Sequence, residues 1–147
     1  MMNKKNGFSI IEVLITIAIF TLISSVSFFL LKDYSPNIQI SGAARDIVSD
    51  LRLAQQLAVS YQEYYCFVMF LQEKKYQVKK CDTSQIIIEK NLSDKITNFS
   101  AQGFAENKVE FNFYGAARES GIITLTNNLG KIKQVEVKLS GFVKVIN

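Results

Sequence analysis

The chain has 147 residues, of which 48% are hydrophobic and 20% are charged, and its formal net charge is +4. This length accommodates one packed domain and one membrane segment but no second full domain, and the charge is too small to indicate nucleic-acid binding. Histidine is absent, which excludes Ser-His-Asp and Cys-His nucleophilic sites and the usual histidine-containing zinc sites.

The first predicted element is a long apolar segment that follows a short basic leader, residues 1–7. Residues 8–31 read FSIIEVLITIAIFTLISSVSFFLL and contain one charge, Glu12. About 20 apolar residues are enough for a transmembrane helix, and no small-residue cleavage site follows Leu31 as it would in a secretory signal peptide. We therefore predict a membrane-spanning helix at 8–31, with the lysine-containing leader in the cytoplasm.

Glu12 is the most informative residue of this segment. A charge costs about 2.5–3.5 kcal/mol at the centre of a bilayer and less toward its surface, so Glu12 needs a partner. The start of the chain resembles the processing signal of type IV pilins and pseudopilins. The features that carry this resemblance are a basic leader, Gly7, Phe8, Glu12 and the predicted spanning helix. The resemblance implies cleavage after Gly7 by a prepilin peptidase, methylation of the new amino terminus at Phe8, and a role for Glu12 in assembly. The alternative is an ordinary anchored protein whose Glu12 reaches the membrane surface.

The processing that this resemblance implies would create a partner for the carboxylate. The new α-amino group on Phe8 lies four residues from Glu12, which is one helical turn. Glu12 could pair with the amine of its own chain or with that of a neighbouring subunit, where a low dielectric strengthens the attraction. The second arrangement would set the axial register between subunits.

Residues 32–63 are predicted to form a linker and an amphipathic helix. Residues 32–37 interrupt the apolar pattern, and Pro36 either kinks a continuous helix or begins a new one with Ser35 as its N-cap. Apolar residues then recur every three or four positions, at Ile40, Ala44, Ile47, Leu51, Ala54, Ala58 and Tyr61. This spacing is typical of an amphipathic helix. We favour packing of this stripe on the chain's own domain over a seam with a partner helix.

Residues 64–147 are predicted to form a β-rich head. The hydrophobic period changes to about two, which predicts strands at 64–71, 76–81, 85–89, 109–114, 122–126, 132–139 and 142–146. Because no helices separate these strands, the sheets should be mainly antiparallel. The predicted fold class is therefore α+β, with a long amino-terminal helix, transmembrane in its first half, and an antiparallel β-sheet head.

Two cysteines lie on the first predicted hairpin. If this hairpin is centred between Glu73 and Lys74, Cys66 faces Cys81 at a Cα separation of about 4.5–5.5 Å, which is within disulfide range. An exported head would also lie in an oxidising compartment. We predict a disulfide between Cys66 and Cys81, and the alternative is a pair of buried free thiols.

The head also resembles minor pseudopilin H of type II secretion and the FimT-type minor pilins. The motifs that carry this resemblance include LRLAQQLA at 51–58, VEFNFYG at 109–115 and SGFV at 140–143. The resemblance implies two packed antiparallel sheets on the second half of the long helix.

DNA binding is a second hypothesis for the head. Some FimT-type proteins are associated with DNA through a Gly-Arg-x-Arg motif, whereas residues 141–144 here read Gly-Phe-Val-Lys and lack both arginines. Lys131, Lys133 and Lys144 could still contact phosphates without reading bases. We favour a solvated lysine face.

Together these patterns predict a minor pilin or pseudopilin, anchored by a single pass in the inner membrane, with its head in the periplasm or outside the cell. Such a subunit assembles into an envelope filament for type II secretion, type IV pilus biogenesis or DNA uptake. Expected partners are prepilin peptidase, other pilin subunits, an inner-membrane assembly platform and lipid. Alternatives are a DNA-binding minor pilin for transformation and a plain anchored β-domain. We expect no cofactor, metal or enzyme activity, because no phosphate-binding loop or metal-ligand motif is present.

Overall fold

The computed structural model describes residues 9–83 and 85–146, and within these ranges all side chains except those of residues 26–35. The chain divides into two compact units, 1–35 and 36–147. The predicted processing residues Gly7 and Phe8 lie outside the described residues. Within the described ranges, no helix is both long and apolar enough to cross a membrane. The span at 8–31 stays a prediction.

One α-helix, α1, spans Ile10–Tyr61 and has Pro36 inside it. Of the two alternatives for Pro36, the structure has the continuous helix, so a new helix that begins at Pro36 is wrong, and the linker predicted at the start of 32–63 is helical. A proline inside a helix costs about 3 kcal/mol, because it removes a hydrogen bond and clashes with the preceding turn. Pro36 and Ile40, one turn apart, are both buried, and this burial offsets part of the cost.

The carboxyl end of α1 is capped by a residue in the left-handed backbone conformation. Gln62 has a φ of 56°, and the N–H of Glu63 donates to the carbonyl of Ala58 at 3.2 Å. This bond from the second residue past the helix to its last turn is typical of a Schellman cap. The side-chain amide of Gln62 also donates to the carbonyl of Val59 at 2.8 Å. The chain can thus reverse into the first strand with the carbonyls of Ala58 and Val59 satisfied.

Eight strands follow the helix. They are β1 Tyr65–Phe70, β2 Lys75–Lys80, β3 Ile86–Asn91, β4 Ile96–Gln102, β5 Lys108–Phe111, β6 Gly121–Asn127, β7 Ile132–Val137 and β8 Val143–Ile146. A short 3-10 helix, Ala105–Asn107, precedes β5. Sheet A has the order β3-β2-β1-β5 and sheet B the order β4-β6-β7-β8, and every neighbouring pair is antiparallel. The predicted α+β class is confirmed.

A single hydrophobic cluster joins α1 to both sheets. The predicted stripe supplies six fully buried residues, Ile40, Ala44, Ile47, Leu51, Ala54 and Ala58, whereas Tyr61 is 64% exposed and does not belong to it. Sheet A contributes Phe67, Val78 and Phe111, and sheet B contributes Ile123 and Val135, among others. Full burial of a side chain such as Leu51 contributes about 1.5–3 kcal/mol. Packing of the stripe on the chain's own head is therefore confirmed.

Seven of the strands were predicted, with ends that differ by a few residues, and β4 was missed. A register shift separates Ile96 from Asn98 in the pairing of β4 with β6. This irregularity puts two exposed residues between the buried Ile96 and Phe99, so the alternation that marks a strand is lost. The strand predicted at 109–114 ends earlier, at Phe111, because residues 112–115 form a turn.

The β1–β2 hairpin has a different register from the predicted one. Cys66 pairs with Lys79 and Phe70 pairs with Lys75, whereas the prediction placed Cys66 opposite Cys81. Lys74 has a φ of 50°, and its N–H donates to the carbonyl of Leu71 at 3.4 Å. The turn therefore covers residues 71–74, one residue earlier than predicted. A lysine carries no signal for a left-handed backbone, so the sequence did not reveal this shift.

Candidate assembly and binding sites

Glu12 lies in the first turn of α1, and its side chain is exposed. Its N–H donates to the carbonyl of Ser9 at 3.1 Å, and its own carbonyl accepts from the hydroxyl of Thr16. A carboxylate at this place is stabilised by the partial positive charge of the helix amino terminus. The structure thus presents Glu12 at the start of the helix, accessible to a partner.

The helix around Glu12 exposes a continuous apolar surface. Its members are Ile10, Ile11, Val13, Leu14, Ile15, Ile17, Ile19, Phe20, Leu22 and Ile23, and the fraction exposed reaches 81% at Ile10. Exposed apolar surfaces of this extent mark sites of contact with protein or membrane. This part of α1 therefore has the character of an interaction surface.

A disulfide joins Cys66 to Cys81, with a Cα–Cα distance of 5.3 Å. Because Lys79 is the residue opposite Cys66, the bond runs diagonally, from β1 to the residue just after β2. The N–H of Cys81 donates to the carbonyl of Tyr64 at 3.0 Å, which continues the ladder one step past the strand. Glu110 lies beside the two sulfurs, with all three ligand atoms within 4.8 Å of one another. Since both sulfurs are bonded to each other, neither offers a thiolate to a metal ion.

The three lysines considered for phosphate contacts lie in different settings. Lys131 follows the β6–β7 turn and is exposed. Lys133 alternates in phase with the buried Val135 and so belongs to the core-side face of β7. Lys144 is on β8, opposite Glu136 on the other face of sheet B, and its Nζ lies 3.2 Å from the Glu136 carboxylate. The described residues thus bring no common phosphate-binding face together from these lysines.

A buried polar cluster that the sequence analysis missed links α1 to sheet A. Asp50 is 4% exposed. Its Oδ2 accepts a hydrogen bond of 2.7 Å from the Tyr76 hydroxyl and lies 2.7 Å from the Lys90 ammonium. Burial raises the pKa of Tyr76 far above its usual value, and the bond to Asp50 raises this pKa further, so the hydroxyl keeps its proton. The sequence feature that could have indicated this cluster is the position of Asp50, three residues after Ile47 and so on the buried side of the helix.

One family model matches the amino-terminal part of the chain. Residues 2–28 match the family model described as the prokaryotic N-terminal methylation motif. No curated protein matches the chain in sequence.

Two solved proteins share the fold. The minor pseudopilin EpsH from the type 2 secretion system of Vibrio cholerae has a TM-score of 0.63 at 9% identity, over 74% of this chain and 96% of that one. The type IV minor pilin FimU of Pseudomonas aeruginosa has a TM-score of 0.63 at 13% identity, over 78% of this chain and 92% of that one. A second crystal form of FimU gives a TM-score of 0.58 at 13% identity, over 73% of this chain and 92% of that one.

The motif and the structural likeness are two separate observations on this chain. The motif covers the amino-terminal segment, whereas the structural likeness covers roughly three quarters of the chain. The chain thus matches the prokaryotic N-terminal methylation motif and has a fold similar to that of the minor pseudopilin EpsH and the minor pilin FimU.

Proposed function

We propose that this protein is a minor pilin or pseudopilin, a structural subunit that assembles with other pilin-type subunits into an envelope filament. Such a filament serves type II secretion, type IV pilus biogenesis or DNA uptake. The observation that carries the proposal is the coincidence of an N-terminal methylation motif at 2–28 with a head of minor-pilin fold. We assign it no catalytic activity, in line with the structural neighbours, which are a minor pseudopilin and a minor pilin.

Processing at the amino terminus is the first step of this function. A prepilin peptidase cuts after Gly7 and methylates the amino group of Phe8, as the motif implies. The resulting cation is four residues before Glu12 in sequence, which is the spacing of one turn in an α-helix. Pairing of the Glu12 carboxylate with the Phe8 amine of an adjacent subunit then fixes the axial position of each incoming subunit.

Anchoring in the inner membrane is the second step. The apolar surface from Ile10 to Ile23 supports a lipid-facing segment, and the lysines of the leader support a cytoplasmic amino terminus. In this topology the head lies in the periplasm or outside the cell, where the Cys66–Cys81 bond persists. An inner-membrane assembly platform would extract the subunit from lipid into the filament.

Intact-mass spectrometry of the membrane-extracted protein tests the processing step. The expected mass is that of residues 8–147 with one added methyl group and one disulfide. A Gly7→Leu variant is the matched control, because a bulky residue at the cleavage point should leave residues 1–7 in place. A native chain that keeps residues 1–7 in a cell with an active prepilin peptidase would overturn the proposed function.

A Glu12→Ala variant tests assembly separately from processing. We expect this variant to remain in the membrane fraction but to enter sheared filaments at a small fraction of the wild-type level, because the inter-subunit ion pair is lost. The control is Thr21→Val, which removes a polar group from the same helix without changing its charge. Equal incorporation of Glu12→Ala and wild type would contradict the pairing role.

A further inference from the structure

A pocket of about 330 Å³ opens on the outer face of sheet A and is lined by Tyr64, Glu110, Asn112 and Arg118. The register of β1 against β5 pairs Tyr65 with Phe111, so the preceding Tyr64 lies beside Asn112. The N–H of Arg118 donates to the carbonyl of Glu110 at 2.9 Å. The four lining residues therefore come from three chain segments that backbone hydrogen bonds hold in register.

Tyr64 lines the pocket, and two further aromatic rings lie next to it in a row. The Tyr64 ring meets Phe113 edge to face, with centroids 5.9 Å apart, and Phe113 lies 4.3 Å from the Tyr114 ring. Tyr64 is 39% exposed and Tyr114 is 80% exposed. Tyrosine rings with an apolar face and a polar tip are common at binding surfaces. The rings of Tyr64, Phe113 and Tyr114 together form an aromatic platform.

Planar polar groups form the rest of the pocket lining. The Arg118 guanidinium lies 3.4 Å from the Glu110 carboxylate. Asn112 accepts hydrogen bonds from the N–H groups of Tyr114 and Ala116, both at 3.0 Å, through its side-chain oxygen. These bonds fix the Asn112 side chain and leave its amide nitrogen as the part that can donate to a ligand. The pocket thus combines a carboxylate acceptor with guanidinium and amide donors.

The charges of the lining indicate the kind of ligand. One carboxylate and one guanidinium balance each other, so the pocket has no net charge to attract a phosphate chain, which needs an excess of basic groups. A neutral saccharide matches the lining better. Its C–H face can stack on an aromatic ring, and its hydroxyl groups can both donate to Glu110 and accept from Arg118 and Asn112. The volume is also within the range of small-molecule pockets.

We propose that the pocket formed by Tyr64, Glu110, Asn112 and Arg118, with the aromatic platform beside it, binds a neutral saccharide unit of a glycan. Tyr64 provides the stacking surface, and the Arg118–Glu110 pair provides two directional hydrogen-bonding groups. This binding activity is independent of the proposed assembly function, because it uses residues of the head and none of the methylation motif.

Saturation-transfer NMR on the full chain, in a detergent without a sugar headgroup, tests the proposal. The probes are maltotriose, cellotriose and triacetylchitotriose, each at millimolar concentration. We expect at least one of them to bind, and we expect Tyr64→Ala and Arg118→Gln to raise its Kd about tenfold. Tyr61→Ala is the matched control, because Tyr61 is an exposed tyrosine nearby that does not line the pocket.

Three results would overturn the proposal. They are the absence of binding for all three sugars, an equal loss of binding in Tyr61→Ala, and displacement of the sugar by a single-stranded oligonucleotide that binds more tightly. If Tyr64→Ala loses the near-ultraviolet circular dichroism of the folded head, Arg118→Gln decides the outcome. Arg118 is 70% exposed in its side chain, so its replacement leaves the core intact.

Discussion

Replacement of Asp50 by alanine tests whether the buried Asp50–Tyr76–Lys90 cluster stabilises the head. The variant leaves the Tyr76 hydroxyl without its acceptor at a position where the residue is 1% exposed. An unsatisfied buried hydroxyl costs about 1–3 kcal/mol. The Lys90 side chain is 43% exposed, so its ammonium can turn to water and the loss of the ion pair adds about 1 kcal/mol at most.

Two effects of the same substitution stabilise the variant and so reduce this loss of stability. Removal of a nearly buried carboxylate relieves its desolvation cost, and alanine is the better helix former by a few tenths of a kcal/mol. We therefore expect Asp50→Ala to lower the free energy of unfolding by about 2 kcal/mol. Tyr76→Phe removes the stranded hydroxyl, so the double variant should lose less than the sum of the two single variants.

The assay is urea unfolding of the full chain in detergent, followed by near-ultraviolet circular dichroism of the tyrosines. A shift in the midpoint at constant m-value reports a change in stability. Asp46→Ala is the control, because Asp46 is an exposed aspartate one turn earlier on the same helix. If Asp50→Ala changes stability no more than Asp46→Ala, or if the double-variant losses are additive, the cluster does not contribute as described.

Two further predictions use the same assay. Loss of the Cys66–Cys81 bond, by double substitution to serine or by dithiothreitol, should lower the free energy of unfolding by about 3 kcal/mol. The reason is that the bond closes a loop with a sequence separation of 15. A decrease of less than about 1 kcal/mol would contradict this expectation. Gly141→Ala should cost about 2–5 kcal/mol, because φ is +80° and the new Cβ would meet the Gly115 carbonyl oxygen at 2.0 Å. Gly130→Ala, at a φ of +77° with nothing within 4 Å, should cost only about 1–2 kcal/mol. Equal losses for the two glycine variants would show that the close approach of Gly141 to Gly115 does not matter.

Local patterns in the sequence predicted much of the head. The stripe from Ile40 to Ala58 was readable because helical periodicity is a local property, and most strands were readable from alternation. The irregularity after Ile96 removed that signal from β4. The sequence left open whether Pro36 lies within a continuous helix or begins a new one, because the burial that supports the continuous helix depends on sheets formed later in the chain.

Some of the candidate sites could likewise be predicted from local sequence, whereas others depend on the tertiary fold. Glu12 stands out because it is a lone charge in an apolar run, and this needs no tertiary knowledge. The prediction of the Cys66–Cys81 bond used a hairpin turn placed one residue too late in the sequence. Lys79, not Cys81, is opposite Cys66, but the two cysteines are still close enough to bond diagonally. The pocket at Tyr64 and Arg118 depends on pairing of Tyr65 on β1 with Phe111 on β5, far apart in the sequence, which local patterns do not specify.

Among the side chains that the structure describes, those of the hydrophobic cluster lie between Ile40 and Val143. The proposed assembly residue Glu12 and the four residues that line the saccharide pocket are separate sets. Natural selection can tune how the subunit docks in a filament and what its surface recognises through separate sets of residues. A lineage can thus acquire a new surface specificity while it keeps the same assembly signal.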